Sequence, residues 1–118
     1  MTESLHIIPI KKRPEYLAVA ATGVRKPMPG LVVQIKKPEN ASDANIRVGL
    51  TVSRRAGGAV ERSRIKRRLR EVIREIMPLA GLPGHSYVII GRRAALERPF
   101  ELLQNDLKMA VEALHKRD

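Results

Sequence analysis

Residues 60–77 read as one long amphipathic helix, and the segments beside it leave few ways to arrange the rest of the chain. At about 100° per residue, Ile65, Leu69, Val72, Ile73 and Ile76 fall on a single stripe. A stripe of that width has to be covered by a sheet or another helix. Gly57-Gly58 breaks the chain before the helix, and Pro78, with no N–H to donate, predicts its end. Ile46–Val52 alternates like a strand, and Ser86–Ile90 is a short apolar strand. Strand, helix and strand in that order make a β-α-β unit whose two strands lie parallel.

The remaining segments are read the same way. Residues 1–10 form a loose, flexible N-terminal arm, and 11–118 form one domain. Pro14 opens a short helix over 14–21, with Tyr16, Leu17, Val19 and Ala20 as its apolar positions, and Gly23 ends it. A short extra strand falls near 24–27. Leu31–Ile35 is rich in β-branched residues and predicts a strand that pairs with 46–52 as an antiparallel hairpin. A last helix runs from near Pro99 to about His115, placing Phe100, Leu103, Leu107, Ala110, Val111 and Leu114 on its core face. The expected fold is a single α+β domain, an α/β sandwich with a mixed four-stranded sheet in the order αβββαβα.

Charge then separates the faces of the long helix. The chain carries 23 Lys and Arg against 12 Asp and Glu, a formal charge of +11. Such an excess repels itself unless a polyanion neutralises it, and nucleic acid is the foremost polyanion. Nine of the cations lie within 54–74: Arg54, Arg55, Arg62, Arg64, Lys66, Arg67, Arg68, Arg70 and Arg74. By helical angle, Ser63, Lys66, Arg67, Arg70 and Arg74 share a sector opposite the apolar stripe, with no acid among them. Arg64 and Arg68 share another sector with Glu71 and Glu75, at spacings that allow ion pairs. The acid-free sector offers Arg forks and Lys point charges to phosphate oxygens.

The inventory for protein-based catalysis is poor. There is no cysteine, so no disulfide and no thiolate metal site. His6, His85 and His115 fall in an arm, a loop and a terminal turn. No run of Lys-Ser or Lys-Thr follows Gly57-Gly58 at P-loop spacing. We therefore predict no catalytic and no metal-ligating residue. No signal-peptide pattern and no span of about 20 apolar residues is present, which predicts a cytoplasmic protein without a membrane partner. A ribosomal-protein-like or general single-strand RNA binder fits the composition and the basic helix equally well. A stand-alone basic nuclease is disfavoured by the missing carboxylate or histidine cluster.

One block is more specific. Arg47-Val-Gly-Leu-Thr-Val-Ser-Arg-Arg-Ala-Gly-Gly-Ala-Val-Glu-Arg-Ser-Arg-Ile-Lys-Arg-Arg-Leu-Arg-Glu71 resembles the signature of the bacterial ribonuclease P protein family. Lys11-Lys-Arg-Pro-Glu-Tyr16 is similar to that family's basic N-terminal segment, and Leu82–Ile90 and the helix from Phe100 to its last strand and helix. The resemblance implies a left-handed β-α-β crossover. It also implies a protein subunit that binds a catalytic RNA, assisted by Mg2+ held mainly by that RNA, and the 5′ leader of precursor tRNA, without an obligate protein partner. By position it implies RNA contacts at Arg54, Arg55, Arg62, Ser63, Arg64, Lys66, Arg67, Arg70 and Arg74. It implies leader contacts at Lys11, Lys12, Arg13, Tyr16 and Gln34. Ser63 stands where the family usually has Asn. Ala20 and Gln34 stand where some members carry aromatics, and Tyr16, Tyr87 and Phe100 are the only aromatics, so base stacking is expected to be weaker here than in aromatic-richer relatives.

Overall fold

The computed structural model describes residues 7–40 and 42–116. Strands β1 (Ile7–Pro9), β2 (Arg25–Pro27), β3 (Leu31–Lys36), β4 (Ile46–Val52) and β5 (Ser86–Gly91) form one mixed sheet in the order β1-β4-β5-β3-β2. Helices α1 (Arg13–Ala21), α2 (Ala59–Ala80) and α3 (Phe100–His115) pack on it. β4 and β5 are parallel, as the β-α-β reading requires, and Val52 sits opposite Gly91 at their C-terminal ends.

The sheet has five strands, where the sequence predicts four. The added strand is Ile7–Pro9, assigned to the arm, which pairs parallel to Ile46–Val48. The expected hairpin between β3 and β4 does not form, because β5 lies between them, antiparallel to β3. The reason is burial. Tyr87, Val88 and Ile89 are buried in succession, so both faces of β5 must be covered, and only a central position covers both. β1 and β2, three residues each and each ending in Pro, form short edges that discourage further strand pairing.

One face of the sheet presents Leu31, Val33, Ile35, Ile46, Val48, Val52, Tyr87 and Ile89 to α2 and α3. α2 answers with Ile65, Leu69, Val72 and Met77, all buried, while Ile73 and Ile76 are partly buried. α3 buries Leu103, Leu107, Ala110, Val111 and Leu114, with Phe100 partly buried, as its periodicity predicts. The opposite face is covered by α1 through a smaller cluster of Ile10, Val19 and Val88, joined by Tyr16 and Ile90. Of the apolar positions read on α1, Leu17 and Ala20 face solvent.

α2 also runs past Pro78 to Ala80. A proline near the end of a helix removes one late hydrogen bond and need not stop the turn already formed. Buried Met77 fixes that turn, and its carbonyl accepts the Gly81 N–H at 2.9 Å.

Asp106 is the buried charge of the core, 2% exposed. Its carboxylate accepts Arg98 Nε at 2.8 Å, Arg98 Nη2 at 3.1 Å and the Gly30 N–H at 3.0 Å. A bidentate guanidinium and a backbone donor leave the anion fully bonded, the condition under which a buried carboxylate is tolerated.

Candidate RNA-binding surface

The parallel register of β4 and β5 decides where the cations gather. Both strands end side by side, and each runs straight into a pair of arginines. Ser53-Arg-Arg55 leads into a short 3-10 turn at Arg54–Ala56, and Gly91-Arg-Arg93 into another at Arg93–Leu96. Open α/β sheets bind ligands beyond the carboxyl ends of such strands. Arg92 and Arg93 are absent from the residues expected from sequence. The signal lay in a second Arg-Arg pair, which becomes meaningful only once the parallel pairing is known.

Contacts around the start of α2 stiffen this corner. Glu61 Oε1 accepts the Gly58 N–H at 2.9 Å, and Arg93 lies 3.2 Å from the Glu61 carboxylate. The backbone donor first, and the Arg93 charge second, hold the Glu61 carboxyl below the usual carboxylate range. Arg93 Nη1 also donates to the Ala56 carbonyl at 3.0 Å, tying the two turns together. Arg54, Arg55, Arg92 and Arg93 are exposed on the surface they make.

Along α2 the sector reading holds in part. Ser63, Arg67 and Arg70 are exposed, and Lys66 is half-buried. Arg64 does not pair with Glu71 or Glu75; it lines a shallow depression with Ala59, Val60, Ser63 and Arg67. Arg74, placed in the acid-free sector, donates to Glu71 at 2.6 Å. Glu75 accepts from Gln104 of α3. Arg68 departs furthest from expectation. It bonds no carboxylate; its guanidinium donates to the Ala95 carbonyl at 2.5 Å and the Arg98 carbonyl at 2.6 Å. A three- or four-residue spacing permits an ion pair but does not compel one, and two fixed carbonyls across the helix interface offer the better geometry.

Arg70 and Arg74 reach a groove of about 700 Å³. Its other wall is Ile7, Pro9, Ile10 and Tyr16, and Val48 and Leu50 lie between. Tyr16 is half-buried. Its hydroxyl donates to the Ile10 carbonyl at 3.1 Å, with the Leu50 carbonyl at 3.5 Å. Its ring lies over Gly49, where a Cβ would stand 2.7 Å from Tyr16 Cε1, so a side chain there would displace the ring. Tyr16 is thus packed against the sheet and at the same time lines the groove. Lys11, Lys12 and Arg13 are exposed at the start of α1. Cations there oppose the helix dipole, so helix stability does not explain them. Gln34 is half-buried on the sheet face that α1 covers, but the groove beside Tyr16 does not include it. The surface thus brings Tyr16, Arg70 and Arg74 together and leaves Gln34 apart.

Among the described residues no group of three His, Cys, Asp or Glu is placed to hold a metal ion. No helix among them is long and apolar enough to cross a membrane.

The family model described as Ribonuclease P matches residues 8–115. The chain belongs to the ribonuclease P protein family. Over 105 residues it is 42% identical to the ribonuclease P protein component of Paramagnetospirillum magneticum, covering 86% of this chain and 78% of that one. It is also 42% identical over 107 residues to that of Ruegeria pomeroyi, covering 90% and 85%. The ribonuclease P protein of Staphylococcus aureus superposes with a TM-score of 0.71 at 26% identity, covering 89% of this chain and 93% of that chain. That of Thermotoga maritima shares the fold, with a TM-score of 0.71 at 22% identity, covering 94% and 98%. As a ribonuclease P protein, the chain is a component of a tRNA-processing enzyme.

The structure separates two kinds of arginine in this family member. Arg67→Ala and Arg70→Ala should leave the melting temperature nearly unchanged, because both side chains are exposed. Arg68→Ala should cost about 2 kcal/mol, since it leaves two carbonyls without their charged donor. Thermal melts of the three variants check this; equal stability in all three would remove the anchoring role of Arg68.

Proposed function

We propose that the chain binds the catalytic RNA of ribonuclease P through α2 and the arginine turns at its N-terminal end, and guides the 5′ leader of precursor tRNA past Tyr16. The observation that carries this reading is placement: the arginine pairs that follow β4 and β5 lie side by side at the N-terminal end of α2, from which Ser63, Arg67 and Arg70 stand exposed. Arg54, Arg55, Arg62, Ser63, Arg64, Lys66, Arg67 and Arg70 would contact phosphates there, joined by Arg92. Arg74 would join them by exchanging Glu71 for phosphate. Lys11, Lys12 and Arg13 would attract the leader's backbone. Tyr16 offers the ring on which a base of any identity can stack, and Gln34 would contribute a polar contact farther along the sheet face.

In this reading the bond is cut by the RNA, which supplies the Mg2+ chemistry. The protein's described carboxylates suit that division. Glu61, Glu71, Glu75 and Asp106 are committed to backbone or side-chain donors, and no three converge on a cation. What the protein side chains supply is position and charge. The left-handed β4–α2–β5 connection, a cytoplasmic location and function without an obligate protein partner belong to the same reading.

RNA-free protein incubated with precursor tRNA and Mg2+ should give no cleavage, and adding the catalytic RNA should release the leader at the mature 5′ end. Site-specific cleavage by the RNA-free protein would refute the reading. In filter-binding titrations against salt, Arg67→Ala and Arg70→Ala should each weaken catalytic-RNA binding and lower the slope by roughly 0.7–0.9 per lost phosphate contact.

A further inference from the structure

At the other end of the sheet a second concavity is built from different elements. β5 carries the chain from Ser86 beside it to Gly91 at the arginine turns, about 17 Å away at 3.3 Å per residue. The concavity, about 400 Å³, lies between the end of α1, the end of β3, the turn before β5 and the end of α3. Buried Ile35 and Leu114 form apolar wall, together with Leu82. Lys36, Lys37 and His85 stand around it.

The imidazoles here are held in place. Tyr87, fully buried, accepts the Leu82 N–H on its hydroxyl at 2.9 Å, which leaves its own proton for His115 Nε2 at 2.7 Å. Burial pushes the Tyr87 phenol up to about 12, so it remains a donor. His85 lies 6.2 Å from Tyr87 in a stacked arrangement, and its Nδ1 is 3.1 Å from the Pro83 carbonyl. A carbonyl only accepts, so Nδ1 donates its proton to it and the ring is fixed in orientation. The result is apolar wall, a fixed ring face and two lysines. That combination matches a flat heteroaromatic base attached to a phosphate. A bare anion would leave the apolar wall unused, and an apolar ligand would leave the lysines unused. Lys36 also holds Glu39 at 2.7 Å, an exposed pair that a phosphate can displace at little cost.

We propose that this pocket takes an unpaired nucleotide of an RNA strand, with the base on Ile35, Leu114 and the His85 ring and the phosphate against Lys36 and Lys37. The inference rests on the reading of the chain as an RNA-binding subunit and adds a contact point at the end of the sheet opposite the arginine turns.

The probes are uridine 5′-monophosphate, uridine and inorganic phosphate, each titrated into the full-length 15N-labelled protein to about 20 mM, enough to detect millimolar affinity. The expected result is saturable amide shifts at Val24, Ile35, Leu82 and His85 with the monophosphate, and binding at least tenfold weaker with uridine or phosphate alone. Lys37→Ala and His85→Ala, separately and together, should weaken the monophosphate about tenfold or more while the melting temperature holds. If the double variant does not fold, Lys37→Ala alone decides, since that side chain is exposed. Absence of saturable shifts at these residues, equal binding of inorganic phosphate, or unchanged affinity in Lys37→Ala would overturn the proposal. Binding of the catalytic RNA by the wild type, measured alongside, keeps the two ideas apart. RNA binding without a pocket response sinks the pocket alone, and a pocket response without catalytic-RNA binding sinks the reading of α2.

Discussion

Asp106→Ala is expected to destabilise the protein by about 3–5 kcal/mol, the usual result of stripping one partner from a buried ion pair. Arg98 would keep its charge with no carboxylate to meet it, and the Gly30 N–H would lose its acceptor. The effect should also reach the RNA-binding surface. Arg98 grips Asp106 with its side chain, and its carbonyl accepts the Arg68 guanidinium of α2. The turn before β3, helix α3 and helix α2 are thus linked through consecutive hydrogen bonds. Urea denaturation should show the midpoint falling steeply. Asp106→Asn, which keeps an acceptor for Gly30 but loses the charge, should fall between the variant and the wild type. A loss below about 1 kcal/mol in Asp106→Ala would mean that solvent already screens the pair.

The second large effect concerns Tyr16. Because the ring is half-buried against Ile10, Val19 and Val88, truncation should act on stability and on binding together. Tyr16→Ala should cost about 2 kcal/mol of stability from lost packing. It should also remove about 1–3 kcal/mol of binding to a stacked leader base. Tyr16→Leu separates the two. It retains apolar contact with the cluster and loses the aromatic face, so stability should be largely restored while the preference for precursor over mature tRNA stays reduced. Tyr16→Phe should keep the stacking and lose only the bond to the Ile10 carbonyl. Affinities of each variant for precursor and mature tRNA, with parallel thermal melts, check this. A Tyr16→Leu protein that keeps the full preference would show that the ring serves the fold alone.

Much of this was legible without coordinates. The periodicity of 65–76 and of 100–114 marked the faces of α2 and α3 that are buried, because an apolar stripe has only one place to go. The order strand, helix, strand implied the parallel pair β4 and β5. The block 47–71 named the family through a long run of residue types. Local signals failed where a neighbour distant in sequence made the choice. Ile7–Pro9 is too short to declare itself and becomes a strand because the edge of β4 is open to it. The β3–β4 hairpin was reasonable by proximity along the chain, yet β5, buried on both faces, took the place between them.

The functional surface divides in the same way. Sequence alone determined that α2 has a face rich in cations and poor in acids, since helical angle follows from spacing. It could not determine which cations are committed elsewhere. Arg68 and Arg67 are adjacent and chemically identical, but the turn before α3 places two carbonyls beside Arg68, whereas Arg67 faces solvent. Arg92 and Arg93 joined the surface only when parallel pairing laid their strand end against that of Arg54 and Arg55. Asp106, in register with the apolar face of α3, was kept there by a guanidinium and a backbone amide from other parts of the chain. Hydrophobic pattern is a property of one segment, readable along the chain. The partner of a charge or a hydrogen-bonding group is set by distance in three dimensions, and only the packed tertiary structure fixes those distances.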